Sequence, residues 1–102
     1  MSKFHLINDS SDNKVQGLYL FHCPGCRNAH PVHTITPSAN GSKWDFNGDV
    51  DKPTISPSLL CNKHWPECRC HSFIKDGMIQ FLSDCWHNLK NQTVEIPDWD
   101  EV

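Results

Sequence analysis

A chain of 102 residues with 37% hydrophobic and 21% charged residues and a formal charge of -3 makes one small domain with a modest core. No Lys/Arg run supplies the basic stripe of a nucleic-acid backbone binder. No stretch is long and apolar enough to span a bilayer, so no membrane role is expected.

The first residues, MSKFHLINDSSDNK, lack an apolar core of signal-peptide length, so the expected location is cytoplasmic. A core this small usually needs a staple, and the chain carries 6 Cys and 7 His. Where thiols stay reduced, closely spaced cysteines more often hold a metal than form disulfides. A secreted, disulfide-stapled domain is the rival that an even cysteine count leaves open.

In chain order, residues 1–15 are polar and expected to be loose, with Phe4, Leu6 and Ile7 forming an early strand. Gly17 to Phe21 reads as a short strand running into His22-Cys23-Pro24-Gly25-Cys26, a knuckle. Val32 to Thr36 is β-branched and strand-like. Trp44-Asp45-Phe46-Asn47 alternates large apolar with polar residues, and Asn47-Gly48 turns after it. Two prolines keep Pro53 to Ser58 out of any helix interior, and Leu59-Leu60 anchors that loop. Asp76-Gly77 between apolar runs is a two-residue hairpin signal. Its register puts His71 opposite Leu82 and Cys70 opposite Ser83. Ser83 or Asp84 caps a short helix through Leu89. Thr93 to Ile96 is a last strand, and 97–102 an exposed acidic tail. The sum is a single zinc-binding domain over 1–102, mainly β: a small sheet or barrel-like fold with a zinc knuckle and at most one short helix.

Cys23-x-x-Cys26 places two thiolates on one tight turn, where both reach a tetrahedral ion at about 2.3 Å. A redox C-x-x-C belongs to a βαβ pattern, whereas here Pro31 follows too soon for a long helix. Further ligands come from Cys61, His64, Cys68, Cys70, His71, Asp84, Cys85 and His87. The hairpin gathers Cys70, His71, Asp84 and His87 at its open end. Strand alternation forbids Cys70 and His71 from facing the same way unless a bulge intervenes. Cys61, His64 and Cys68 have spacing for a second zinc or for completing the first. His5, His22, His30, His33 and His64 individually read as solvated or packing residues, and Cys85 as a small buried hydrophobe.

The run PTISPSLL, then CRCHSFIKDGMIQFLSDCWHNLKNQTVEIPDW, with an upstream CPGC and WDFNGD, resembles a family of small phage and bacterial proteins. These are often labelled, misleadingly, phage ammonia monooxygenases. Some relatives sit beside bacterial ubiquitin-like conjugation genes, and the resemblance implies a metal-dependent peptidase acting on such conjugates. It spans roughly Leu18 to Trp99 and carries over Cys23, Cys26, Trp44, the Pro53–Ser58 loop, Cys70, His71, Gly77, Asp84 and His87. The chain departs from the pattern at Leu89 to Gln92, where relatives often have glycine, and in its Cys61–Cys68 insertion. For a phage-encoded member the compartment is the host cytoplasm. Nothing in the residues supports ammonia oxidation.

Two functions follow. The first is a zinc-dependent hydrolase, peptidase- or isopeptidase-like. Its Zn2+ is held by three or four of Cys23, Cys26, Cys70 and His87, with Asp84 as general base and His71 as proton donor or oxyanion stabiliser. Ser56 and Ser58 position substrate, and no G-x-S-x-G context marks a serine nucleophile. The second is a structural zinc module that binds or inhibits a host protein. Ligand count separates them: four thiolate-rich ligands favour structure, three plus water favour hydrolysis. Either way the partner is a protein, ubiquitin-like under the first reading.

Overall fold

The structure, a computed structural model, describes residues 2–7, 16–39, 41–61, 65 and 67–101. The strands are β1 (His5–Leu6), β2 (Leu18–His22), β3 (Ala29–His33), β4 (Asp45–Phe46), β5 (Ile55–Ser56), β6 (Leu59–Cys61), β7 (Cys70–Lys75), β8 (Met78–Phe81) and β9 (Thr93–Glu95). A 3-10 turn over Trp99–Glu101 follows. The fold is mainly β, as expected: three antiparallel sheets ordered β1-β2-β3, β4-β5 and β6-β7-β8-β9. Among the described residues no helix is long and apolar enough to cross a membrane. Most of the loose N-terminal segment expected over 1–15 lies outside the described residues, as does His64.

The β7–β8 hairpin is built by its turn. Asp76 and Gly77 both take positive φ, 52° and 79°, the twist that two-residue hairpins need. The register follows from it: Lys75 faces Met78, Ile74 faces Ile79, Phe73 faces Gln80 and Ser72 faces Phe81. Alternation then buries Ile74, Ile79 and Phe81 and exposes Phe73, Lys75 and Gln80.

Phe4 is the centre of an aromatic cluster, with Phe21 at 5.6 Å and Phe46 at 5.4 Å between ring centroids. Val32, Ile55, Leu59 and Ile96 complete the core. Lys3 ties the N-terminal segment to the C-terminal one. Its buried ammonium donates to the Ile96 carbonyl at 2.8 Å and to Glu95 at 3.1 Å.

Three expectations need correction. The strand expected over Val32 to Thr36 is instead Ala29–His33, with Pro31 opposite Leu20. β3 is an edge strand, where the missing proline N–H faces no ladder partner.

The helix expected from Ser83 to Leu89 does not form; the segment is a chain of turns. Its amides are taken by other partners. The Trp86 N–H goes to the Arg69 carbonyl (2.9 Å), the Leu89 N–H to His87 Nδ1 (3.3 Å) and the Asn91 N–H to the Phe81 carbonyl (2.9 Å).

Finally, Trp99 is held within the segment expected as an exposed tail. Its ring stacks on His22 at 4.2 Å and His5 at 4.9 Å, and its N–H donates to the Ser2 carbonyl.

Candidate active site and metal centre

β7 resolves the competition between Cys70 and His71 by plain alternation. Cys70 is buried and His71 half-buried on the opposite, outer face. Two clusters therefore form on the two sides of one strand.

On the outer face, Ser58 Oγ lies 2.9 Å from His71 Nε2, and His71 Nδ1 lies 3.2 Å from Asp84 Oδ2. The Asp84 carboxylate only accepts, so Nδ1 carries a proton toward it. That leaves the Nε2 lone pair facing the Ser58 hydroxyl. Each member is placed by the fold. Ser58 immediately precedes β6, its carbonyl held by the Trp44 indole N–H at 3.1 Å. β6 pairs with β7 so that Leu60 stands opposite His71. Asp84 lies in the turn after β8, where the Leu82 N–H bonds the His71 carbonyl at 2.9 Å. Cys85, buried, brackets the same residue. Its thiol accepts from the His71 N–H at 3.2 Å and donates to the His71 carbonyl at 3.0 Å. Burial raises its pKa, so it stays a neutral thiol suited to both roles. Ser56, in β5 opposite Asp45, is exposed, with no hydrogen bond to either His71 or Asp84 among the described residues.

On the inner face, Cys23, Cys26, His30 and Cys70 bring one donor atom each to within 4.8 Å of the others. The knuckle has the local bonds a thiolate turn needs. The Cys26 N–H points at Cys23 Sγ (3.4 Å), the Arg27 N–H closes onto the Cys23 carbonyl (2.8 Å), and Arg27 takes a φ of 59°. The Trp86 indole N–H donates to Cys26 Sγ at 3.3 Å. Cys23 Sγ and Cys70 Sγ lie 3.9 Å apart. Hydrogen bonding from Cys70, aided by His30 and opposed by burial, holds the Cys23 thiol down to about 4. The shared proton and burial push Cys70 upward. Burial opposes charge on His30, yet the neighbouring Cys23 and Cys61 sulfurs raise it to about 11.

Two observations fit a metal here. His30 Nε2 is buried with no hydrogen-bond partner. Three sulfurs and an imidazole in one buried cluster are the donor set zinc prefers. Gly25 serves a different contact, making room for the His87 ring that a Cβ there would overlap.

His87 stands beside the cluster, Nε2 3.6 Å from Cys70 Sγ, its ring edge-on to Phe81 at 4.4 Å. Its Nδ1 accepts the Leu89 N–H. The neutral ring then carries its proton on Nε2 and donates toward the Cys70 sulfur. A second grouping of Cys70, Cys85 and His87 overlaps the first. None of the six cysteines is in a disulfide. Of the possible second site, Cys61 is half-buried beside His30 and Cys68 is exposed.

The structure thus brings Cys23, Cys26 and Cys70 together and places His87 against Cys70. It joins His71 to Asp84 and Ser58, and leaves Ser56 apart. Sequence reasoning missed His30 as a candidate ligand. Its signal was the spacing Cys23-x-x-Cys26-x-x-x-His30, with His30 on the same strand parity as buried Val32.

No curated protein and no solved structure matches the chain. Residues 2–82 match the family described as bacterial ubiquitination-like system serine protease (BubE). That match covers most of the chain, which therefore belongs to the BubE family of proteases linked to bacterial ubiquitin-like conjugation.

Proposed function

We propose that this protein is a serine-type peptidase of ubiquitin-like protein conjugates, with Ser58 as nucleophile, His71 as general base and acid, and Asp84 as the group that orients His71. The observation that carries this reading is the continuous Ser58–His71–Asp84 relay, with bonds of 2.9 Å and 3.2 Å. Its atoms stand in the order that acyl transfer by serine requires. Ser58 Oγ attacks the scissile carbonyl while its proton passes to His71 Nε2. Asp84 stabilises the imidazolium. As the C–N bond breaks, His71 returns the proton to the leaving amine. Water then repeats the sequence on the acyl-serine and releases the acid.

Zinc, in this reading, is structural. Cys23, Cys26, Cys70 and His30 would fill a tetrahedral site and leave no position for water. His87 donates to the Cys70 sulfur from outside it. Bound zinc would neutralise the thiolates and tie the knuckle to β7. A zinc-activated water is the less favoured mechanism. Asp84, its natural base, is bonded to His71 on the outer face, with β7 between it and the sulfur cluster.

The test is labelling with an alkyl fluorophosphonate and mapping of the modified peptide. Modification of Ser58 that disappears in His71→Ala supports the assignment. An unmodified Ser58, or modification independent of His71, contradicts it.

A further inference from the structure

The Leu60 backbone is the unusual feature of the site. In the β7–β8 direction, His71 sends its N–H to Cys85 Sγ and receives the Leu82 N–H on its carbonyl. Neither group therefore turns toward β6. In an antiparallel ladder the opposite residue, Leu60, is then a non-hydrogen-bonded partner. Its own N–H and C=O point away from β7. Ser58, two residues earlier, has the same parity, and its carbonyl is indeed met from outside by Trp44 at 3.1 Å. β6 is an edge strand of its sheet, and among the described residues no hydrogen bond meets the Leu60 pair. Beside it lies a cavity of about 640 Å³ whose walls include Pro31, His33, Trp44, Leu59, Leu60 and Cys61. It lies between two sheet edges. The β3 edge is blunted, because Pro31 has no N–H to offer and the His33 carbonyl is taken by the Trp44 N–H at 2.8 Å. The β6 edge, which offers the Leu60 N–H and C=O together, is the better acceptor of a strand there.

We infer that the substrate's extended acyl-side chain binds in this cavity by adding a strand to β6 through the Leu60 N–H and C=O, which delivers its terminal carbonyl to Ser58. This rests on the serine-peptidase reading above. The chemistry of an isopeptide picks the acyl side. Its amine side is a lysine side chain with no main-chain N–H beside the scissile bond, so only the acyl side can pair as a strand. The occupant is thus an unfolded polypeptide tail, not a folded surface. Leu60, opposite His71, and Trp44, bonded to Ser58, would flank the residue next to the scissile carbonyl.

The test uses two probes of Ser58 on the full chain: an acetyl-tripeptidyl diphenyl phosphonate and an alkyl fluorophosphonate without a peptide. In each adduct a Ser58 Oγ–P bond forms, phenoxide or fluoride leaves, and His71 takes the proton. Hydrogen exchange at the Leu60 amide is then followed by NMR, and labelling is repeated with each peptide nitrogen methylated in turn. Strand addition predicts slower Leu60 exchange in the peptidyl adduct alone, by about fivefold to tenfold or more. It also predicts a similar loss of labelling rate on methylating one nitrogen but not its neighbours. Labelling by both probes with Leu60 exchange unchanged, or labelling by the alkyl probe alone, overturns the strand-addition site and leaves the triad standing. Absence of labelling by both overturns the triad and this site with it.

Discussion

Replacing Asp84 by asparagine separates the roles this residue could hold. The carboxylate makes one bond to His71, at 3.2 Å, and its side chain is 41% exposed. A charge-assisted hydrogen bond contributes about 1.5–3 kcal/mol, and solvent screening at this exposure favours the lower end. That corresponds to about tenfold in rate. A buried aspartate of a serine triad contributes more, about 10⁴, because its loss also reverses the histidine tautomer. In Asp84→Asn the new side-chain amide can rotate in solvent to present its carbonyl to the His71 Nδ1–H and keep the tautomer. The expected loss is therefore about 10-fold to 10³-fold in kcat for hydrolysis of a ubiquitin-like conjugate, with KM little changed. Zinc per chain, measured in parallel by native mass spectrometry, should be unchanged. Full kcat in Asp84→Asn would refute the role of the carboxylate. Loss of zinc would refute its separation from the sulfur cluster.

Other perturbations probe the support around the site. Cys85→Ala removes both bonds that bracket the His71 backbone. It should lower kcat while circular dichroism and zinc content persist, and an unchanged kcat would show that the β7–β8 ladder alone fixes His71. Cys70→Ser should abolish stoichiometric zinc binding and lower Tm steeply, since a structural metal contributes directly to folding; retained zinc by elemental analysis would exclude Cys70 as a ligand. Gly25→Ala should impair zinc retention and Tm, because the added Cβ meets the His87 ring; normal zinc content and Tm would mean that this contact relaxes freely. Ile79→Ala, on β8 opposite Ile74 and at 0% exposure, should destabilise by about 2–5 kcal/mol in urea unfolding; a loss below about 1 kcal/mol would contradict its place in the core.

The parts of the fold legible in the sequence were those set by local chemistry. Asp76-Gly77 dictates its own turn and through it the whole β7–β8 register. Cys23 and Cys26 need only the four-residue knuckle that holds them. What remained hidden depends on residues far apart in the chain. Ser58 has no local motif, and its partner His71 arrives through the β6–β7 ladder. Its pairing with His71 is therefore visible only once Leu60 and His71 are known to be neighbours. Ser83 and Asp84 offered a cap for a helix through Leu89, but the amides of Trp86 and Asn91 find Arg69 and Phe81 instead, partners that no local pattern announces. The alternation of β7 was the most informative local rule. It forbade Cys70 and His71 from serving one site, and the structure assigns them to two.

The most direct measurement is hydrolysis of a ubiquitin-like conjugate by Ser58→Ala, with zinc content and Tm recorded on the same preparation. The account predicts that cleavage is lost while one zinc per chain and the wild-type Tm remain. Cleavage that survives in Ser58→Ala, and stops only when the metal is removed from a still-folded protein, would contradict it and return the chemistry to the metal.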